Sequence, residues 1–321
     1  MSVLQFIIVM ILLFNLVFLF FFVRDLWRNR STFMKEPGSA LLQGLSTGVV
    51  FFLSSFGISD FAISMVIYTK AKWVPVVKMP GTLNTQCVIP VCAMALIYLH
   101  DIQVDIRTLF VCIFTQIIGA YLGARLVVRL NPWIVKRLLV FSLTIAALVI
   151  LAGKVGILPS GGDAMSIDGW KLWLLGALSL LYGALINIGI GSYTLTMATV
   201  YAMGMNPIAA FPIMMGSSAF AVPVSGSKFI QHDRYSRKVT LMASTFGVIG
   251  VWIATHMVIN LDVSILQWLV VVSLFYAALG LYIETRQSSK RRDIGMATAA
   301  MRFSPEERAA LRDEFEKSRM K

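Results

Sequence analysis

Polar side chains gather at two glycine-marked breaks in an otherwise apolar chain. The break at Gly57 is surrounded by Ser54, Ser55, Ser59 and Asp60. The break at Gly189 and Gly191 is surrounded by Asn187, Ser192, Thr194 and Thr196. Hydroxyls and amides without a fixed cation can hold an oxyanion by hydrogen bonds and still release it. Small polar residues also allow close packing of membrane helices, which is the competing interpretation for any single one of them.

The two breaks belong to an internal repeat. Shifting the sequence against itself until Gly57 falls on Gly189 aligns Gly57-Ile58 with Gly189-Ile190 without gaps. The same offset pairs residues that chance rarely matches: Gly44 with Gly176, Pro75 with Pro207, Pro80 with Pro212, and His100-Asp101 with His232-Asp233. A further polar set also aligns, Asn84-Thr85-Gln86 with Gly216-Ser217-Ser218. We therefore predict two related units, at 41–152 and 170–283.

Asp60 has two interpretations. A carboxylate inside a membrane segment is costly and usually functional, so Asp60 could carry a proton or meet a cation and couple the site to an ion gradient. It could equally cap a short helix beginning at Phe61, as aspartate often does. Ser192 occupies the matching position in the second unit, which therefore has no acidic counterpart.

The elements that hold these residues are expected to be membrane helices. The chain is 58% hydrophobic and 14% charged, whereas soluble domains carry about 25% charged residues. Residues 2–23 contain no charge, and about 20 such residues span a bilayer. We predict that this stretch is a retained first span, followed by apolar segments at 41–58, 59–69, 80–99, 107–128, 133–152, 170–188, 190–203, 208–229, 238–258 and 264–283. Segments 59–69 and 190–203 are too short to span comfortably.

The net charge of +12 does not indicate nucleic-acid binding, because the basic residues stand at the ends of apolar segments. The three cysteines, Cys87, Cys92 and Cys112, lie inside apolar stretches and are interpreted as small buried side chains. Their spacing indicates neither a disulfide framework nor a metal site. We expect no cofactor and no metal.

Charge also predicts the topology. Arg24, Arg28 and Arg30 place the loop after the first span in the cytoplasm, so the N-terminus is expected outside. The stretch 154–171 is sparse in basic residues and is predicted to lie outside, whereas the tail at 284–321 is basic and predicted to be cytoplasmic. If each short segment pairs with the helix before it, every unit has an odd number of crossings and the units are inverted. If the short segments merely continue broken helices, the units are parallel.

The predicted organisation has five parts. An N-terminal helix with its basic loop (1–40) precedes the first unit, a linker (153–169) joins the units, and a charged tail (284–321) follows the second. Ser304-Pro305-Glu306-Glu307 has the pattern of a helix start within that tail. The fold class is all-α and polytopic.

Inverted units with broken helices at equivalent positions indicate the binding site of a secondary transporter. A break inside the membrane frees backbone groups that hydrocarbon cannot satisfy, and the N-terminus of a half-helix favours an anion. We predict alternating access with a small anion held near the midplane by residues around both breaks and the later polar sets: Ser54, Ser55, Gly57, Ser59, Asp60, Asn84, Thr85, Gln86, Asn187, Gly189, Gly191, Ser192, Thr194, Ser217 and Ser218. A proton or a sodium ion could be coupled, and a homo-oligomer is left open.

Two other functions compete with this prediction. A passive anion channel could share the same lining. A membrane-embedded enzyme could use the two His-Asp pairs, at His100 and His232, as metal ligands or catalytic groups. Under the inverted topology these pairs lie on opposite faces of the membrane and cannot meet, so we interpret them as helix ends.

Over residues 41–283 the chain resembles the TauE/SafE family, the sulfite exporters or toluene-sulfonate uptake permeases. The resemblance is carried by the duplicated unit, by the glycine break near the start of each copy, and by the prolines that follow. The stretch from Gly119 to Arg125 is also similar to that family's glycine-alanine helix ending in a basic turn. The resemblance implies transport of sulfite, sulfonates or related sulfur-containing organic anions across a bacterial inner membrane.

The chain departs from this family's pattern at the first break. The family often has consecutive glycines there, but the first unit has only Gly57, with Ser59 and Asp60 after it. The identity of the anion therefore does not follow from the resemblance. The first span and the charged tail are expected to fall outside it.

Overall fold

The architecture is all-α in a computed structural model that describes residues 3–101, 104–126 and 164–258, together with six isolated positions. The helices are α1 (Val3–Arg28), α2 (Ala40–Ser54), α3 (Asp60–Lys70), α4 (Met79–Asp101), α5 (Ile106–Leu126), α6 (Trp170–Leu185), α7 (Tyr193–Ala202), α8 (Pro207–Gln231), α9 (Arg237–Met242) and α10 (Val248–Val258). A π-helical turn, Ala243–Gly247, joins α9 to α10. No strand occurs among the described residues, where one isolated bridge pairs Ala164 with Met205.

Five helices in this part of the chain are long and apolar enough to cross a membrane, and α9 and α10 count as one of them. Large apolar side chains on the outer surfaces of α1, α2, α5, α6 and α10 are exposed, as lipid-facing residues would be. The prediction of a polytopic all-α membrane protein is confirmed for these residues. The predicted segments 133–152 and 264–283, the tail and its helix start at Ser304 lie outside the described residues.

Helix boundaries repeat at the offset found in the sequence. The helices α2, α3, α4 and α5 of the first unit correspond in order to α6, α7, α8 and the combined α9/α10 of the second. Each first helix ends shortly before its glycine, so the predicted segments 41–58 and 170–188 stop early, at Ser54 and Leu185. A short 3₁₀ turn, Ile186–Ile188, follows α6 before the second break.

The two long central helices, α4 and α8, run antiparallel. A side chain at Gly81, near the start of α4, would overlap the carbonyl oxygen of Arg234, which lies just beyond the end of α8. At the other end, a Cβ on Gly216 would lie 3.7 Å from Leu99. Glycine permits this close approach of the two equivalent helices. Their contact packs the two units against each other.

Each unit also packs its last helix against the first helix of the other. Glycines of α5 lie against the backbone of α6, since a side chain at Gly119 would overlap the carbonyl oxygen of Leu180. Likewise α10 lies against α2, where a side chain at Gly250 would overlap the carbonyl oxygen of Gly48. The offset of the repeat also pairs Gly48 with Leu180, so the two interfaces are equivalent.

The first helix stands outside this repeat and packs on α8. Its buried Asn15 donates to the carbonyl oxygen of Ala219 at 3.1 Å, and Phe18 lies 3.0 Å from a Cβ built on Gly226. An amide in the middle of a 26-residue apolar helix thus finds a partner in the bundle.

The end of α1 is fixed by an ionic cluster on one face of the molecule, which we call the Asp25 face. The Arg237 guanidinium bonds to Asp25 at 2.7 Å and to Asp233 at 2.8 Å. Lys238 donates to three carbonyl oxygens of the loop after α1, those of Met34, Glu36 and Gly38. The Glu36 carboxylate in turn accepts from the N–H groups at the start of α9.

Candidate functional site

The two glycine breaks meet at the centre of the bundle. A Cβ on Gly191 would lie 2.8 Å from the Oγ of Ser59, so the starts of α7 and α3 are neighbours. Gly57 packs against Met197 of α7, and a Cβ on Gly189 would lie 3.5 Å from Met65 of α3. Met65 and Met197 are also paired by the offset of the repeat, so each break faces the equivalent residue of the other unit.

Ser59 begins the first half-helix. Its Oγ accepts a hydrogen bond from the N–H of Ala62 at 3.4 Å, which makes it the N-cap of α3. The interpretation that Asp60 caps a helix starting at Phe61 is therefore wrong: the helix starts one residue earlier, and Asp60 is its first residue. The Asp60 side chain is left for another role.

The Asp60 carboxylate is fully buried, and neither of its oxygens makes a hydrogen bond of normal geometry, although the N–H groups of Asp60 and Phe61 lie close by. The other buried charged side chains of the described residues, Arg237 and Lys238, have partners at the Asp25 face. A buried carboxylate without a counter-charge costs several kcal/mol. This is a large part of the net stability of a protein, which is about 5–15 kcal/mol. A carboxylate of this kind inside a membrane segment is usually functional.

The start of the second half-helix carries a triangle of polar side chains. The hydroxyls of Ser192 and Ser218 lie 3.1 Å apart, and the Nε2 of Gln116 donates to them at 3.3 and 3.2 Å. All three residues are buried. The triangle brings together α5, α7 and α8, and therefore both units.

A second hydrogen-bonded row lies along α3. The Nε2 of Gln86 donates to the Oγ of Ser64 at 2.9 Å, and the Tyr68 hydroxyl donates to the Oε1 of Gln86. Asp60, Ser64 and Tyr68 follow one another at helical spacing and share one face of α3. Gln86 is the residue equivalent to Ser218, so both units place a polar residue of the long helix beside the half-helix.

Three buried hydroxyls around the breaks have no hydrogen-bond partner: those of Ser54, Tyr193 and Thr196. Buried polar groups are nearly always satisfied, and an unsatisfied one costs about 1–3 kcal/mol. Ser54 ends α2, while Tyr193 and Thr196 belong to the first turn or so of α7. Hydroxyls can donate to an oxyanion, so their orientation toward a bound anion would satisfy them.

Other predicted site residues bond to the protein backbone instead. The hydroxyls of Ser55 and Ser217 donate to carbonyls of their own helices, those of Phe51 and Ile213, at 2.9 and 2.7 Å. The hydroxyl of Thr85 pairs with that of Thr240 at 2.7 Å. These three side chains link or brace helices, as the packing interpretation holds.

The side-chain amides of the two predicted asparagines, Asn84 and Asn187, bond to backbone carbonyl groups. Asn84 donates to the carbonyl oxygen of Ile186 at 2.9 Å, directly before the second break. Asn187 donates to the carbonyl oxygen of Ala120 at 3.0 Å and accepts from Ser225 at 2.9 Å. At the first break, the carbonyl oxygen of Ser55 accepts from the Tyr98 hydroxyl at 2.8 Å. Side chains thus supply the partners that unwound backbone needs inside a membrane.

Several residues that the structure brings to this centre were not predicted from the sequence. Gln116 is an isolated amide in an apolar span, and Tyr193 directly follows Ser192. Ser64 and Tyr68 follow Asp60 at helical spacing, which could have shown their shared face. Thr194 belongs to α7, and its side chain is outside the described part of the structure.

The two His-Asp pairs stand at opposite ends of the bundle. Asp101 ends α4, and His232 follows α8 next to the start of α4. Because α4 has 23 residues, the pairs are separated by about 30 Å along its axis. In the described ranges no group of three or more His, Cys, Asp and Glu residues could hold a metal ion. The separation argues against an enzyme that combines both pairs.

The fold and the central site define a class: a polytopic α-helical membrane protein in which two half-helices start beside each other in the core. Residues 1–150 of the chain match the family Sulfite exporter TauE/SafE, a family of membrane transporters. The resemblance given from the sequence is confirmed for that part of the chain. The match includes the first span, contrary to the expectation that this span falls outside the resemblance, whereas 170–283 lies beyond the matched residues. Neither a curated protein nor a solved structure matches the chain.

Proposed function

We propose that this chain is a secondary transporter that moves a small anion across the bacterial inner membrane by alternating access. Sulfite, a sulfonate or a related sulfur-containing organic acid is the proposed substrate class, as the family of residues 1–150 suggests. The observation that carries the proposal is the contact between Ser59 and Gly191, which places the N-termini of two half-helices at one point in the core.

Helix N-termini explain why the substrate would be an anion. Each carries unpaired N–H groups and roughly half a positive charge. The starts of α3 and α7 therefore offer donors and positive potential without a lysine or arginine. The unpartnered hydroxyls of Ser54, Tyr193 and Thr196 add donors around the same point. Binding without a fixed cation leaves the anion free to dissociate.

The relationship between the units supports alternating access. We propose that they have inverted topology, with a pseudo-two-fold axis in the membrane plane. The antiparallel packing of the equivalent helices α4 and α8 and the reciprocal packing of α5 on α6 and α10 on α2 support this arrangement. Such units can rock about a fixed central site. In this orientation the N-terminus lies outside, and the Asp25 face and the tail are cytoplasmic.

A binding screen and a flux assay test the proposal. Thermal stability of the purified protein would be measured with sulfite, sulfate, sulfonates and small carboxylates, and the anions that stabilise it would be followed by counterflow in proteoliposomes. We expect saturable counterflow, since an anion on one side accelerates a carrier's return. Saturable binding without counterflow, with ion flux at channel rates, would indicate a passive channel. No saturable flux with any anion of the panel would refute the proposal.

Variants locate the site. Tyr193→Phe and Thr196→Val each remove one unpartnered hydroxyl, and we expect each to weaken anion binding about 10- to 150-fold, as loss of one hydrogen bond to a charged group does. Thr255→Val is the matched control, because among the described residues the buried Thr255 hydroxyl bonds only to its own helix, at the carbonyl oxygens of Val251 and Trp252. Equal effects of all three substitutions would place the site elsewhere.

A further inference from the structure

We propose that Asp60 carries the coupling proton of this transporter, so that one proton crosses the membrane with each monovalent anion. The inference rests on the proposed function and deepens it by naming the coupling ion and the residue that holds it. It is carried by the position of the carboxylate at the start of α3, beside the start of α7, and by the absence of a side-chain partner or counter-charge among the described residues.

Asp60 has no acidic counterpart in the second unit. Ser192 is its equivalent in the second unit, and Ser218 is the equivalent of Gln86. Ser192 and Ser218 satisfy each other with a bond of 3.1 Å. In the first unit, Gln86 bonds to Ser64 and Tyr68 instead, and Asp60 has no side-chain partner among the described residues. Its own N–H and that of Phe61 lie near the carboxylate. At this position the first unit therefore has an acid where the second unit has a neutral hydroxyl.

Among the described residues, the groups around Asp60 supply no positive charge. The titratable side chains in electrostatic contact with it are Tyr68 of its own helix, Cys87 of α4 and Tyr193 of α7. All three are neutral or negative in every protonation state. An ionised Asp60 can therefore be compensated only by the two helix N-termini, which are also the binding site proposed for the anion.

Competition for these N-termini provides the coupling. The carboxylate and the anion both need the same positive potential, so they exclude each other while Asp60 is ionised. Protonation removes the charge of Asp60 and frees the N-termini for the anion. The centre then holds one negative charge in both forms of the transporter that reorient across the membrane. In the empty form this charge is the Asp60 carboxylate. In the loaded form it is the bound anion, and Asp60 is a neutral acid. Forms carrying a second negative charge are disfavoured in the low-dielectric core.

Three backbone carbonyl groups that precede the first break are already bonded, which argues against a sodium site built from them. Sodium sites at broken helices are built from unwound carbonyl groups. Here the carbonyl oxygens of Leu53, Ser54 and Ser55 accept from Phe56, Gly57 and Tyr98 at 3.1, 2.9 and 2.8 Å. These oxygens are directed at protein donors, whereas a proton needs only the carboxylate itself.

Proteoliposomes containing the full chain test this coupling. The probe is labelled methanesulfonate, a small sulfonate that stays ionised across the tested pH range, so pH effects arise in the protein. Net accumulation driven by a gradient of one pH unit and proton uptake in weakly buffered vesicles would be measured beside counterflow at equal pH. Asp60→Asn mimics the protonated acid, and Asp60→Ser gives the first unit the residue of the second. Asp168→Asn is the control, because that exposed carboxylate pairs only with Arg107 in the described structure.

We expect the unmodified protein and Asp168→Asn to accumulate the probe about tenfold, the ratio that one pH unit supports for one proton per anion, with proton uptake in step. Asp60→Asn and Asp60→Ser should still exchange the probe, at a rate no longer dependent on pH, but should not accumulate it above the outside concentration. Accumulation driven by the pH gradient in both variants would overturn the proposal, as would accumulation by the unmodified protein without proton uptake.

Failure of the proposed function would give a different result in these assays from failure of the coupling proposal. If the unmodified protein exchanges no anion of the panel, the transporter proposal fails and this inference fails with it. Loss of both exchange and accumulation in Asp60 variants that elute and melt like the unmodified protein would instead make Asp60 part of the anion site and overturn its role in coupling. If Asp60→Asn does not fold, Asp60→Ser decides the test, because serine already starts the equivalent half-helix at Ser192.

Discussion

Gly57 and Gly189, which occupy the same position in the two units, have nearly the same left-handed backbone, with φ angles of +86° and +87°. Each stands between a long helix and a half-helix, and each packs against the half-helix of the other unit. Residues with a Cβ rarely adopt this conformation, and it costs them about 1–2 kcal/mol. Glycine at these two positions therefore allows the backbone to leave the helical conformation at the point where the units meet.

Alanine substitutions should separate backbone strain from packing. Gly204→Ala is the reference, because Gly204 has a φ of +90° but a Cβ there would meet nothing within 4 Å. We expect Gly189→Ala to lower thermal stability about as much as Gly204→Ala, since its nearest atoms are 3.5 Å away. Gly57→Ala should cost more, because its Cβ would overlap Met197. A second substitution, Met197→Ala, should recover part of that extra loss, and no recovery would contradict the contact.

Removing the amide at Asn84 should destabilise the second break. Asn84→Leu removes two buried hydrogen bonds, to the carbonyl oxygens of Ile186 and Pro80, at an expected cost of about 1–3 kcal/mol for the two together. The Ile186 carbonyl oxygen keeps its bond from the N–H of Gly189. Thr115→Val is the control, because the Thr115 hydroxyl bonds only to carbonyls of its own helix, and we expect a loss below about 1 kcal/mol for it. Thermal unfolding in detergent measures both. A substitution at Asn84 as mild as the control would show that the two side-chain bonds add little to the bond from the N–H of Gly189.

The sequence was sufficient for the parts of the fold that rest on periodicity and on backbone constraints. Gly57, Gly189 and the paired prolines fixed the offset of the units, and the structure repeats its helices at that offset. The contact between Ser59 and Gly191 could not be predicted, because it depends on how α3 and α7 pack across two units. For the same reason Ser55 and Ser217, which bond within their helices, could not be told apart from Ser192 and Ser218 by residue type alone.

Breaking the ionic cluster at the Asp25 face should strongly destabilise the protein. The Arg237 side chain is 11% exposed and that of Asp25 18%, and removing one partner of such a buried pair costs about 3–5 kcal/mol. Arg237→Met should therefore lower the unfolding temperature markedly. Arg107→Met is the matched control, because Arg107 and Asp168 are 74% and 75% exposed and an exposed pair contributes about 1 kcal/mol or less. Similar losses from the two substitutions would show that solvent reaches the Arg237 pair.

Labelling from each side of the membrane should give opposite results for the two His-Asp pairs. His100→Cys and His232→Cys would be made in a chain whose three buried cysteines are replaced, and an impermeant maleimide would be added outside or inside sealed vesicles. Since α4 and α8 run antiparallel, we expect His100→Cys to react from the outside and His232→Cys from the cytoplasmic side. Asp168→Cys and Asp233→Cys, at exposed positions on the same two faces, provide the reference labelling. Reaction of both histidine positions from one side would contradict the inverted topology. An enzyme that uses both His-Asp pairs would then again be a candidate function.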